Sequence, residues 1–190
     1  MTEDLQDKKA ATLKATLELI SEQGFHGTPI SQIAEKANIG VGTIYRYFAS
    51  KEDLLNALYI DVKTNSSRII LQSYSKDRPI NESFKEVINS TVRYFIKNPT
   101  ELSFMEQYEN SPLITASTHE EVTRLIQPLC DLFKSAQEEA LLKKLPFEIL
   151  IALYSGSVIS LAKLYKAGNV RLDEQVLSGG INAIWDMIKA

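Results

Sequence analysis

Thr43, Tyr45, Arg46, Tyr47 and Lys51 crowd three hydroxyls and two cations into nine residues. Such groups hydrogen-bond phosphate oxygens and the edges of nucleic-acid bases. Gly40 and Gly42 precede them, in the stretch 38-NIGVGTIYRYFASKEDL-54. A Gly-x-Gly pair invites a nucleotide-cradling reading. A dinucleotide loop, however, needs a preceding strand and a third glycine, and Ile33–Asn38 reads as the tail of a helix. Residues without side chains instead let a helix N-terminus come close to a phosphate backbone. Other chemistry is sparse. His26 and His119 are isolated and read as loop or cap residues. The lone Cys130 excludes an intrachain disulfide, argues against a cysteine-based zinc site, and reads as a small core residue. No nucleophile, base and orienter form a set. Neither an enzyme, a metal nor a cofactor is therefore expected.

The elements that must position these groups are helical throughout. Ala10, Leu13, Leu17 and Ile20 share one helical face within 8–23, and Gly24 ends that helix as a left-handed cap. Thr28-Pro29 predicts a hydroxyl cap followed by proline at the first helical position, with Ile30, Ile33, Ala34 and Ala37 inward. A turn at 38–40 leads to a helix over about 41–48 with Ile44 and Phe48 inward. Its outer face then presents Val41, Thr43, Tyr45, Arg46 and Tyr47. Ser50 caps the next helix, with Glu52 and Asp53 in its first turn where the helix dipole favours them.

Longer helices follow, over about 51–73, 82–97, 100–109, 118–142, 146–168 and 172 to the C-terminus. Thr118-x-x-Glu121 predicts a capping box. No strand is expected, so the fold class is all-α with about nine helices. Short helices fill 1–50 and long ones 51–190, which places a domain boundary near 50–55.

Two short helices joined by a tight turn make a helix-turn-helix, whose second helix can enter the major groove. Here the residues become specific. The chain carries Gly24-Phe25, Thr28 with Ile33-Ala34, Gly42-Thr43-Ile44-Tyr45-Arg46-Tyr47-Phe48, and Ser50-Lys51-Glu52 with Leu54. Over about fifty residues it resembles the N-terminal domain of the TetR family of bacterial transcriptional regulators. The resemblance implies contacts to double-stranded operator DNA from Thr43, Tyr45, Tyr47 and Lys51, with base reading by Arg46. Thr28, Ser31 and Gln32 become flanking contacts. Gly42 lets the helix end approach. Val41 stands where many relatives carry lysine and would touch a thymine methyl instead.

The resemblance further implies a ligand-sensing domain over 51–190 and a homodimer formed by the last two helices. Tyr59, Phe95, Phe104, Tyr108 and Tyr154 are the aromatic candidates for lining a site for a small hydrophobic or aromatic effector. Ser155, Gly156, Ser157 and Ser160 lie mid-helix, and Gly179-Gly180 interrupt the last helix. Glycine inside a helix costs about 1 kcal/mol relative to alanine, which close helix–helix approach would offset. With Ile181, Ile184 and Trp185 these residues are the expected dimer interface; packing within one chain is the competing explanation.

Charge restricts how DNA is bound. The chain has a net charge of −3 and a pI near 5.5. Between residues 24 and 51, Lys36, Arg46 and Lys51 oppose Glu35, a local charge of +2. Few ionic contacts and many neutral ones are expected. The longest uncharged apolar run, 149–162, has 14 residues including three serines and a glycine. That is too short for a membrane span and reads as a buried helix. The N-terminus is the reverse of a signal peptide, so the expectation is a cytoplasmic ligand-responsive repressor of a palindromic operator. A helical ligand-binding or interaction protein that has lost DNA binding is the alternative that Val41 and the acidic pI support.

Overall fold

The computed structural model describes residues 2–75, 77–168 and 173–190, with side chains from residue 7 onward. Among them run nine helices: α1 (Thr2–Gln23), α2 (Ile30–Lys36), α3 (Val41–Tyr47), α4 (Lys51–Ser73), α5 (Ile80–Lys97), α6 (Pro99–Tyr108), α7 (Ala116–Glu138), α8 (Phe147–Ala167) and α9 (Glu174–Ile188). An isolated antiparallel bridge joins Leu142 and Lys189. The helices gather into two compact units, one of residues 1–63 with 100–122, the other of residues 64–99 with 123–190.

In the first unit, α1 stops where Gly24 takes the left-handed conformation (φ 73°) and its amide bonds back to the Ile20 carbonyl at 2.8 Å. The inward stripe of α1 is rotated from the expected one. Leu13 and Ile20 are buried, but Thr12 and Thr16 join them, while Ala10 is exposed and Leu17 half-buried. The threonines are tolerated inside because each hydroxyl donates to the carbonyl four residues back, at 2.7 Å. Ile33, Ala34, Ile44 and Phe48 close the core of the three short helices. The αL position of the α2–α3 turn belongs to Asn38 (φ 54°), a residue that tolerates this region.

Two expected caps are corrected. Thr28 does not cap α2. It is fully buried, its hydroxyl donates to the Gly24 carbonyl at 2.8 Å, and Pro29 occupies the cap position. Likewise α7 opens at Ala116, two residues before Thr118. Thr115 Oγ1 accepts the Thr118 amide at 3.2 Å, a cap built one turn earlier than the Thr118–Glu121 box. α7 also ends at Glu138 rather than near 142, and Ala140 (φ 56°) turns the chain away. Ser50 behaves as expected: its Oγ accepts the Asp53 amide at 3.0 Å while Asp53 Oδ2 accepts the Ala49 amide at 2.9 Å.

The second unit is centred on α5. Phe84, Val87, Ile88 and Val92 are fully buried there, at the i, i+3, i+4 spacing of one helical face. Phe84 meets Phe133 of α7 edge-on at 5.1 Å and lies 6.1 Å from Trp185 of α9. α9 is capped by Asp173, whose Oδ1 accepts the Val176 amide at 2.9 Å; the expected start at 172 falls outside the described residues.

α8 departs from expectation. Its uncharged centre extends into a 21-residue helix, and most of its apolar length is left unburied. By length and composition alone it is long enough to cross a membrane. Leu150, Tyr154, Val158 and Ala162 face the core, while Ile149, Leu153 and Leu164 stand 50%, 37% and 45% exposed.

Candidate nucleic-acid interface

The geometry of α3 is set from below. Ile44 and Phe48, buried to 1% and 3% exposure, fix the helix against α1 and α2. Rotation is thereby fixed, and Val41, Gly42, Tyr45 and Arg46 emerge on the exposed side, with Tyr45 52% exposed. Thr43 and Tyr47 are half-buried. Gly40 caps α3 in an extended conformation with no side-chain bond, and accepts the Thr43 amide at 2.8 Å. A side chain at Gly42 would meet nothing within 4 Å. The protein's own packing therefore does not require glycine there.

The remaining expected contacts separate by environment. Ser31 and Gln32 are exposed on α2, with Gln32 Oε1 accepting Gln23 Nε2 at 3.0 Å. Thr28 is sealed inside. Lys51 is half-buried: its ammonium donates to the Phe25 carbonyl and sits 4.2 Å from the centre of the Phe25 ring. Burial holds that ammonium below its ordinary pKa. The Tyr47 hydroxyl is buried and has no hydrogen-bond partner among the described residues.

The local charge is also smaller than its residue count. Lys36 pairs with Glu18 of α1 at 3.0 Å, leaving Arg46 and Lys51. Lys9, which lies outside the stretch whose charges were counted, stands 5.9 Å from the Phe48 ring at the end of α3. Helical register was the available signal, since Lys9 lies one turn before Leu13.

The five aromatics considered for an effector site are all core residues. Tyr59, Phe104 and Tyr108 belong to the first unit, Phe95 and Tyr154 to the second. Phe104 and Tyr108 pack together at 5.0 Å. The Tyr108 hydroxyl accepts the Phe25 amide at 2.9 Å. Tyr154 and Thr91 share a buried hydrogen bond of 2.6 Å, and burial pushes the Tyr154 pKa up to about 12. Burial likewise raises the Tyr59 pKa.

The expected pairing residues divide in the same way. Ile181, Ile184 and Trp185 are buried within the protomer, at 6–7% exposure, because α9 packs them on α5 and α8. A Cβ on Gly180 would stand 3.0 Å from Leu161 Cδ2, so that glycine serves α8–α9 packing. Gly156 and Gly179 face open space, Ser160 is exposed and Ser155 half-buried.

The family model for bacterial regulatory proteins of the tetR family matches residues 13–58. The model for the tetracyclin repressor-like C-terminal domain matches residues 79–189, more than half of the chain. The chain belongs to the TetR family. As a TetR-family protein it is a DNA-binding transcriptional regulator. It is 28% identical over 177 residues to an uncharacterized HTH-type transcriptional regulator of Haemophilus influenzae, covering 92% of each chain. A TetR-family transcription regulator from Marinobacter aquaeolei shares the fold with a TM-score of 0.93 at 22% identity, over 100% of this chain and 99% of that one. The regulator FadR of Bacillus subtilis, solved in complex with stearoyl-CoA, shares it with a TM-score of 0.70 at 17% identity, over 94% and 96%.

Proposed function

We propose that the protein is a cytoplasmic homodimeric repressor, released from a palindromic operator by a small hydrophobic or aromatic effector. Residues 1–50 bind DNA and residues 51–190 sense and pair. The observation that carries the DNA reading is α3 itself, a short helix anchored by Ile44 and Phe48 that turns Val41, Gly42, Tyr45 and Arg46 outward. Arg46 reads a base. Thr43, Tyr45, Tyr47 and Lys51 bind phosphates, Val41 meets a thymine methyl, and Ser31 and Gln32 flank. With its hydroxyl already spent, Thr28 acts by holding the elbow between α1 and α2 rather than by contact.

For the effector, the proposed lining residues are Tyr59, Phe104 and Tyr108 in the first unit and Phe95 and Tyr154 in the second, each unit taken by itself. The hydroxyls of Tyr108 and Tyr154 are already paired, so a molecule reaching either ring meets mostly carbon. That favours an apolar ligand, and the stearoyl-CoA bound to the FadR neighbour supports the same class. For pairing, the exposed apolar residues of α8 and Val176 of α9, with Gly156, Ser160 and Gly179 among them, form the proposed face. A contiguous apolar surface of this kind marks an interaction site.

A gel shift against the DNA upstream of the protein's own coding region tests the reading. A shift that effector reverses is expected. Because Lys36 is already paired, log affinity should fall gently with log salt, well short of the slope of roughly −10 seen for strongly ionic binders. A slope that steep would overturn the picture of few ionic contacts. No shift at all would favour a helical interaction protein that has lost its operator.

Tyr47 gives a sharper test. A buried unpaired hydroxyl costs about 1–3 kcal/mol, so Tyr47→Phe should leave the free protein as stable or more stable. It should nevertheless weaken operator binding, because the hydroxyl is proposed to find its partner on a phosphate. Thermal melts and anisotropy titrations on one sample separate the two effects. A destabilised variant, or one with unchanged affinity, rejects this role.

A further inference from the structure

The elbow between α1 and α2 is held together largely by its own residues. Gly24 bonds back to Ile20, Thr28 Oγ1 to Gly24, and the Thr28 amide to the Phe25 carbonyl at 3.3 Å. The turn is tight, since a Cβ on Gly27 would fall 2.4 Å from the Gln23 carbonyl oxygen. Phe25 is the exception to this self-sufficiency. Its ring is buried, its carbonyl also accepts Lys51 of α4, and its amide donates to Tyr108 Oη, 83 positions along the chain at the end of α6.

That bond joins a segment tied to the same unit at further points. Ser21 Oγ donates to the Thr100 carbonyl at 3.2 Å, at the start of α6. Just beyond α6, Lys63 binds Glu109 at 2.5 Å. Asn56 of α4 donates to the Leu113 carbonyl at 3.0 Å and accepts the Thr115 amide at 2.9 Å. Residues 100–115 are thus pinned to α1, to the elbow and to α4. Only four residues separate Phe25 from the start of α2, and α2 packs on α3. A displacement of Phe25 therefore reaches the recognition helix through rigid, packed elements.

We infer that Tyr108 is a positioning residue for DNA binding: its hydroxyl, carried on α6, holds the Phe25 amide and so sets the orientation of α2 and α3. This rests on the operator reading above, and it gives Tyr108 a role distinct from lining an effector site.

Tyr108→Phe keeps the ring and removes the bond. On an operator fragment that the wild-type protein shifts, anisotropy should show affinity weakened roughly three- to tenfold, the scale of one lost buried hydrogen bond. Amide exchange at Phe25 should accelerate by a similar or larger factor. Thr91→Val is the comparison, since it removes a buried hydroxyl from the second unit; it should lower the thermal midpoint without changing operator affinity. Operator affinity of Tyr108→Phe within twofold of wild type overturns the inference, as does an equal loss in Thr91→Val. If the wild-type protein shifts no fragment, the operator reading fails instead, and unchanged Phe25 exchange in Tyr108→Phe would then reject the clamp by itself.

Discussion

Arg46→Ala is expected to abolish discrimination at one base position in each half of the operator. A bidentate arginine–guanine contact contributes about 1–3 kcal/mol of discrimination. A symmetric dimer would lose it twice, and separated positions add. Binding to the cognate operator should therefore weaken by about 2–6 kcal/mol, roughly 30-fold at the least. Arg46 is exposed on α3, so the protein itself should melt unchanged. The informative comparison is between operators altered at single positions. Wild-type protein should distinguish them strongly and the variant should not. If the loss is instead uniform across sequences, with the salt slope reduced by about one per arginine, Arg46 contacts phosphate. The base-reading role then passes to another residue of α3.

Leu153→Asp should produce a folded monomer that no longer holds its operator. Leu153 is 37% exposed in the single chain, between Ile149 and Gly156 on the open face of α8. An aspartate there stays hydrated in the monomer, but in a helix–helix interface it would be stripped of water without a partner. Sedimentation at micromolar concentration should show one chain where the wild type shows two. Linking two binding modules raises affinity by about 10²–10⁴, and operator binding should fall by a factor in that range. Helical content by circular dichroism should persist, because α8 keeps Leu150, Tyr154, Val158 and Ala162 in its own core. A variant that still sediments as a dimer would place the pairing surface elsewhere.

The choice of Leu153 over Trp185 marks where reading the sequence runs out. Trp185, Ile184 and Ile181 carry the right residue types for an interface, and their periodicity identifies an apolar face of α9. Periodicity cannot say whether such a face meets another helix of the same chain or of a second one. In the structure α5 and α8 take that face. α8 poses the converse problem: apolar nearly all round, it has no polar side to reveal which part stays open. The same limit explains Thr28. It stands in the right place along the chain for a DNA contact, yet it is buried with its hydroxyl bonded to Gly24.

The sequence by itself determined the all-α class, the helix-turn-helix, the inward Ile44 and Phe48 and the outward Val41, Tyr45 and Arg46. These follow from local rules: helical period, caps, turns and the residue types of one short motif. Only the tertiary structure decided that Lys36 pairs with Glu18, that the Tyr47 hydroxyl is buried without a partner among the described residues, and that Tyr108 reaches back to Phe25. The physical reason is range. A helix's register is set by neighbours three and four residues away, whereas a side chain's hydrogen bond or ion pair is set by whichever distant segment packing brings to it.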